Sequence, residues 1–219
     1  ICEGLVGSEM CIRDRCIDHE DFDLLKLISK SVKDMSQGEL LQIEKARRLN
    51  IDEEVYFEII RKKTASLISS CCALGASASG VSYNKINKLA SFGEKIGIAF
   101  QLKDDLFDYG DKKIGKPVGI DLKEKKLTLP IIYCLNNSSK TKKRWLINCI
   151  KNHNNNKNII QEVISYVKET GGIEYTISKL KQYQKRSTWR LKWVSWKSLQ
   201  KKSNWSCKLC YWKRILIFS

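Results

Sequence analysis

Only two prolines and 12 glycines occur in 219 residues, which argues against a fold built from many tight turns, and so against an all-β architecture. No stretch approaches the roughly 20 consecutive apolar residues that a membrane-spanning helix needs. The N-terminus lacks a basic stretch followed by an apolar one, the pattern of a secretory signal. Alternating apolar and polar residues do not persist anywhere, so strands are not expected. What remains is a chain 42% hydrophobic and 29% charged, the balance of a folded helical protein, with a cytoplasmic location expected.

The net charge of +16 invites a nucleic-acid or membrane-surface reading, but its distribution opposes it. Residues 185–219 carry 10 Lys or Arg, no Asp or Glu, and five of the six tryptophans, leaving only +6 for the other 184 residues. A basic, aromatic tail could bind nucleic acid or a membrane surface; nothing before Lys185 supports either partner. Nine cysteines, an odd number at irregular spacing, form no disulfide framework, and free thiols are expected. Cys207 and Cys210 have the spacing of half a zinc site, without a second pair to complete it.

From Asp18 the pattern is helical. Phe22, Leu25, Ile28 and Val32 recur at three- and four-residue steps, and Gln37-Gly38 interrupts only mildly. Asp52 is expected to cap a helix running from about Glu53 to Ala76. A further helix from Tyr83 to Phe107 is apolar nearly all round and is expected to be central. A lysine-rich loop spans Gly110–Gly119, Pro130 opens another helix, Asn152–Asn158 forms a loop, and residues 159–184 return to helix with a break at Gly171-Gly172.

Chemistry concentrates at the end of the apolar helix. Gln101, Asp104, Asp105 and Asp108 share about a third of the helix circumference, an oxygen-rich set suited to Mg²⁺. Acidic runs usually form a solvated face, but this one sits on the most apolar helix, where charges need partners. Lys112, Lys113 and Lys116 follow, then Lys125 and Lys126, and mobile lysines beside a hard-cation cluster are what a diphosphate site requires. Upstream, Arg61-Lys62-Lys63-Thr64 lies between apolar helical turns.

GELLQ at 38–42, KTASLI at 63–68, GEKIGIAFQLKDDLFDY at 93–109 and GKPVGIDLKEKKLTLP at 115–130 together resemble the trans-isoprenyl diphosphate synthases, the polyprenyl synthetase family. The resemblance covers roughly residues 18–184, and GELLQIEKA and CCALGA look most like bacterial long-chain members. It implies an all-α isoprenoid-synthase bundle, here incomplete at its N-terminal helices, and Mg²⁺-dependent elongation of an allylic diphosphate by isopentenyl diphosphate. By the resemblance Asp104, Asp105 and Asp108 hold Mg²⁺, Lys63 and Thr64 contact the allylic diphosphate, and Gln101 faces the allylic carbon. Lys116 and Lys126 bind diphosphate, Gln42 occupies the last position of the GExxQ motif, and a homodimer is the family's habit.

The family's first aspartate-rich motif is not in this sequence, so little turnover is expected of the chain as written. Residues 1–17, with GSEMCIRDR, resemble an adapter-derived leader, and a reading-frame slip near Lys185 accounts for the change in composition of the tail. The alternative is a non-catalytic prenyl-synthase-like subunit that binds a partner; an intact DDLFD run and Lys-Thr pair argue against it.

Overall fold

The computed structural model describes residues 11, 13–49, 51–110 and 119–189; the tail beyond Trp189, with Cys207 and Cys210, lies outside them. The expected all-α fold is what is found, every extended element among the described residues being helical. No described helix is long and apolar enough to cross a membrane.

Helix α1 (Phe22–Arg48) starts at Asp21, whose carboxylate accepts the Leu24 amide at 3.3 Å, and passes through Gly38 without a break. It ends because Leu49 turns left-handed at φ 50°. Its apolar stripe divides: Ile28 is buried, while Phe22 and Leu40 stay exposed. Asp52 caps α2 (Glu53–Ile60) as expected, accepting the Val55 amide at 2.8 Å.

The single helix expected from Glu53 to Ala76 is instead three segments. After α2, residues Arg61–Ala65 widen into one π-helical turn, and α3 (Ser66–Ala78) resumes the normal pitch. A π turn carries one extra residue per ring, which a period-3.6 reading of apolar positions does not register.

Helix α4 (Tyr83–Phe107) has the bounds its sequence predicts and is the centre of the bundle. Ile98, Ala99 and Leu102 have no exposed surface, and the helix packs most extensively against α3 and the final helix. A four-residue turn of helix, α5 (Ile120–Lys123), precedes α6 (Leu129–Asn137), which has a proline in its first turn. Helix α7 (Lys140–Asn152) was not anticipated; α8 (Lys157–Glu169) and α9 (Gly172–Trp189) flank the break at Gly171, whose φ is 83°. Helix α9 continues past Gln184, the last residue of the family resemblance, with Ser187 fully buried.

The core joins α2, α4, α6, α7 and α8 through Ile60, Leu102, Ile132, Leu146 and Val167. Each such aliphatic side chain, fully withdrawn from water, contributes about 1.5–3 kcal/mol. Helix α9 is tied to the start of α2 by a polar clamp: Tyr175 donates to Glu53 at 2.7 Å and Lys179 pairs with it at 2.7 Å. The cysteines among the described residues are free; Cys16, Cys134 and Cys149 are buried as expected, whereas Cys11 and Cys71 are exposed.

Candidate functional site

Close backbone contact positions the site. A Cβ on Gly38 of α1 would lie 2.6 Å from the Lys63 amide nitrogen, and one on Gly97 of α4 would lie 2.6 Å from the Ala65 Cα. The π turn is therefore gripped between α1 and α4 at distances only glycine permits. The wide turn lets two adjacent side chains serve both neighbours. Lys63 reaches α1, its Nζ donating to Gln42 Oε1 at 3.0 Å and pairing with Glu39 at 2.5 Å. Thr64 reaches α4, its hydroxyl donating to Gln101 Oε1 at 3.0 Å.

The line of hydrogen bonds continues along α4. Gln101 Nε2 donates to Asp105 Oδ1 at 2.9 Å, one helical turn on, and the Tyr56 hydroxyl of α2 donates to Asp105 Oδ2 at 2.5 Å. Thr64 thus fixes which end of the Gln101 amide faces the carboxylate. Asp105 is only 5% exposed, and burial lifts its pKa to about 7 against the pull of its Tyr56 and Gln101 donors, with the charges of Asp121 and Asp104 adding to the rise.

Asp108 has a different task. Its carboxylate accepts the backbone amides of Ile120 at 2.7 Å and Asp121 at 3.2 Å, while its own carbonyl accepts the Gly119 amide at 3.1 Å. Gly119 adopts φ 83° to make this return, and a side chain there would strike Ile160. Burial raises the Asp108 pKa, opposed by the amides it accepts. Asp121 is pushed up to about 6, by burial first and then by the Asp108 charge, against the pull of Lys126. Lys126 lies 3.8 Å from Asp121 and pairs with Glu124. Burial lowers its pKa, but Glu124, Asp121 and Glu39 outweigh that and the net shift is upward. Tyr109 and Thr128, hydroxyl to hydroxyl at 2.8 Å, fasten the end of α4 to the start of α6 behind this turn.

Of the residues singled out from sequence, Gln42, Lys63, Thr64, Gln101 and Asp105 are brought into this network. Asp104 contributes its charge beside Asp105 and Asp121, Asp108 anchors the turn before α5, and Lys126 faces Asp121. Lys116, with Lys112 and Lys113, lies outside the described residues. Among the described residues no three His, Cys, Asp or Glu side chains form a ready metal-binding group. Tyr56, Glu39 and Asp121 were not singled out as site residues. Tyr56 reads as one more apolar-face residue of α2, and its distance of 49 residues from Asp105 hides the contact.

A helical bundle with a central acid-bearing helix, a lysine-threonine pair packed against it and a lysine-bearing turn beyond has the isoprenoid-synthase fold. The geranylgeranyl pyrophosphate synthase structure from Bacteroides thetaiotaomicron superposes with a TM-score of 0.76 at 34% identity, covering 90% of this chain and 64% of that one. The chain belongs to the polyprenyl synthetase family, which it matches over residues 7–167. It is 34% identical over 166 residues to a short chain isoprenyl diphosphate synthase of Methanocaldococcus jannaschii, covering 75% of this chain and 49% of the relative. It is 32% identical over 169 residues to heptaprenyl diphosphate synthase component 2 of Bacillus subtilis, covering 76% and 47% respectively. The chain thus spans about half the length of the curated relatives it matches.

Proposed function

We propose that this chain carries the allylic-diphosphate side of a trans-prenyl chain-elongation site, in which isopentenyl diphosphate extends an allylic diphosphate by one five-carbon unit. The observation that carries the reading is the hydrogen-bonded line Thr64–Gln101–Asp105 beside the Lys63–Gln42 pair, which joins three separated sequence motifs into one network. Lys63 and Lys126, with Lys116 from the loop, bind the diphosphate oxygens as point charges. The oriented amide of Gln101 and the hydroxyl of Thr64 present their dipoles to the positive charge that develops at the allylic carbon.

Asp104, Asp105 and Asp108 are the proposed ligands of Mg²⁺, and the donor set fits such an ion. The donors are hard oxygens, and the neighbouring acids add to the rise that burial causes at Asp105 and Asp121, a contribution that a cation offsets. Each oxygen of Asp105 and Asp108 accepts a protein donor and keeps a second lone pair, enough for an ion that holds several waters and takes one or two carboxylates. When bound, Mg²⁺ neutralises the diphosphate as it leaves. The buried faces of Ile98 and Leu102 lie on the side of α4 that packs into the core.

Turnover by the 219 residues alone is proposed to be weak, because the sequence contains one aspartate-rich motif where the family uses two. Binding is the direct test. Calorimetric titration with the unreactive farnesyl thiolodiphosphate is expected to give Mg²⁺-dependent binding that Lys63→Gln weakens at least tenfold. No Mg²⁺-dependent binding by the unaltered chain would refute the reading, and substantial isopentenyl incorporation would refute the claim about turnover.

A further inference from the structure

Asp121 and Glu124, which face Lys126, are not the only carboxylates that meet the proposed diphosphate lysines. Glu39, on the opposite wall formed by α1, pairs with Lys63 Nζ at 2.5 Å. Lys126, from the turn after α5, also feels the Glu39 charge across the site, besides those of Asp121 and Glu124. Glu39 is thus paired with a cation from another element and lies within electrostatic range of a second. The Lys63 and Lys126 side chains are each 38% exposed and that of Glu39 is 47% exposed, so the pairing is open to exchange with dissolved ions.

We propose that Glu39 is a built-in counter-anion, holding the anion position at Lys63 until a diphosphate displaces it. The proposal deepens the diphosphate reading above and rests on it. Lys63 has three N–H donors; the neutral Gln42 oxygen takes one and Glu39 another. An arriving phosphate oxygen leaves the Gln42 bond in place and competes with Glu39, because two anions sharing one ammonium repel each other. Gln42 then keeps Lys63 aimed into the site when Glu39 lets go. The cost of opening the pair is small, because a half-exposed ion pair contributes only fractions of a kilocalorie per mole up to about 1 kcal/mol. Glu39 therefore tunes diphosphate affinity without abolishing it. The same contact has an opposite possible use, in which Glu39 props Lys63 in its working position and stays there when substrate binds.

The two uses predict opposite signs. Inorganic pyrophosphate titrated calorimetrically into the full chain at fixed ionic strength is the probe. Glu39→Gln, which keeps the side-chain size, is expected to tighten pyrophosphate binding roughly two- to fivefold. Glu39→Ala should act in the same direction, with melting followed by circular dichroism to verify that both variants are folded. Adding Lys63→Gln to Glu39→Gln should erase the gain, because the released cation is then gone. Unchanged or weaker binding by Glu39→Gln, with the unaltered chain still binding pyrophosphate, overturns the counter-anion role and leaves the diphosphate reading standing. No pyrophosphate binding by either chain overturns both. Binding seen only after Glu39→Gln supports the proposal in its strongest form.

Discussion

Replacing Tyr56 with Phe removes one oxygen and leaves the ring, which packs edge-on to Phe57 with centroids 5.4 Å apart. The loss falls on Asp105 Oδ2, which accepts the Tyr56 hydroxyl at 2.5 Å in a position closed to water. A hydrogen bond to a charged acceptor contributes about 1.5–3 kcal/mol, against about 0.5–1.5 kcal/mol for a neutral pair. The bundle contains its own control. Tyr109 is equally buried, but its hydroxyl meets the neutral Thr128 hydroxyl at 2.8 Å, so Tyr109→Phe removes the same atom from an uncharged partner. Urea unfolding followed by far-ultraviolet circular dichroism at pH 8, where Asp105 is ionised, should show Tyr56→Phe costing about twice as much as Tyr109→Phe. In melting temperature the Tyr56 loss corresponds to about 4–10 °C for a chain of this size. A cost for Tyr56→Phe equal to or below that of Tyr109→Phe would refute the argument that this hydroxyl stabilises a buried carboxylate.

Gly97→Ala should destabilise by about 1–3 kcal/mol, because its Cβ would lie 2.6 Å from the Ala65 Cα and α4 must move off the π turn; a fall in melting temperature of a few degrees checks it. Asp105 and Asp121 hold their protons to about pH 7 and pH 6 in the fold but release them near pH 4 when unfolded, so the folded chain binds more protons between those limits. Their contribution is therefore fully present below about pH 4 and is lost as pH rises through 6 and 7; unfolding in EDTA at pH 5 and pH 8 should show the drop, reduced in Asp105→Asn.

Periodicity made much of this fold legible. Helix α4 was readable to its ends because its apolar residues run all round, and Asp52 and Gly171 mark boundaries with chemistry that does not depend on distant partners. Helix α7 escaped because Lys140, Lys142, Lys143 and Arg144 crowd its first turns, leaving Trp145, Leu146, Ile147 and Ile150 as too short an apolar signal. The acids and the Lys-Thr pair of the candidate site were legible as motifs, but their division of labour was not. That Asp108 would secure the amides of Ile120 and Asp121, or that Tyr56 would reach Asp105, depends on how α2, α4 and α5 converge, and residue order alone does not encode those meetings locally.

The wide turn at Arg61–Ala65 also sets the phase of everything that follows it in the same rod. Each residue of an ordinary helix advances the azimuth by about 100°. The surplus residue in the π ring offsets α3 against α2 by that step, so the face of α2 bearing Tyr56 and the face of α3 bearing Ala73 and Ala76 meet their neighbours in different registers. Losing one residue from this ring would let the rod close up into regular pitch, and the face of α3 that packs on α4 would then rotate away from it. The segment thus works as a vernier between two lengths of helix, and its length is constrained together with the Lys63, Thr64 and Ala65 positions it presents.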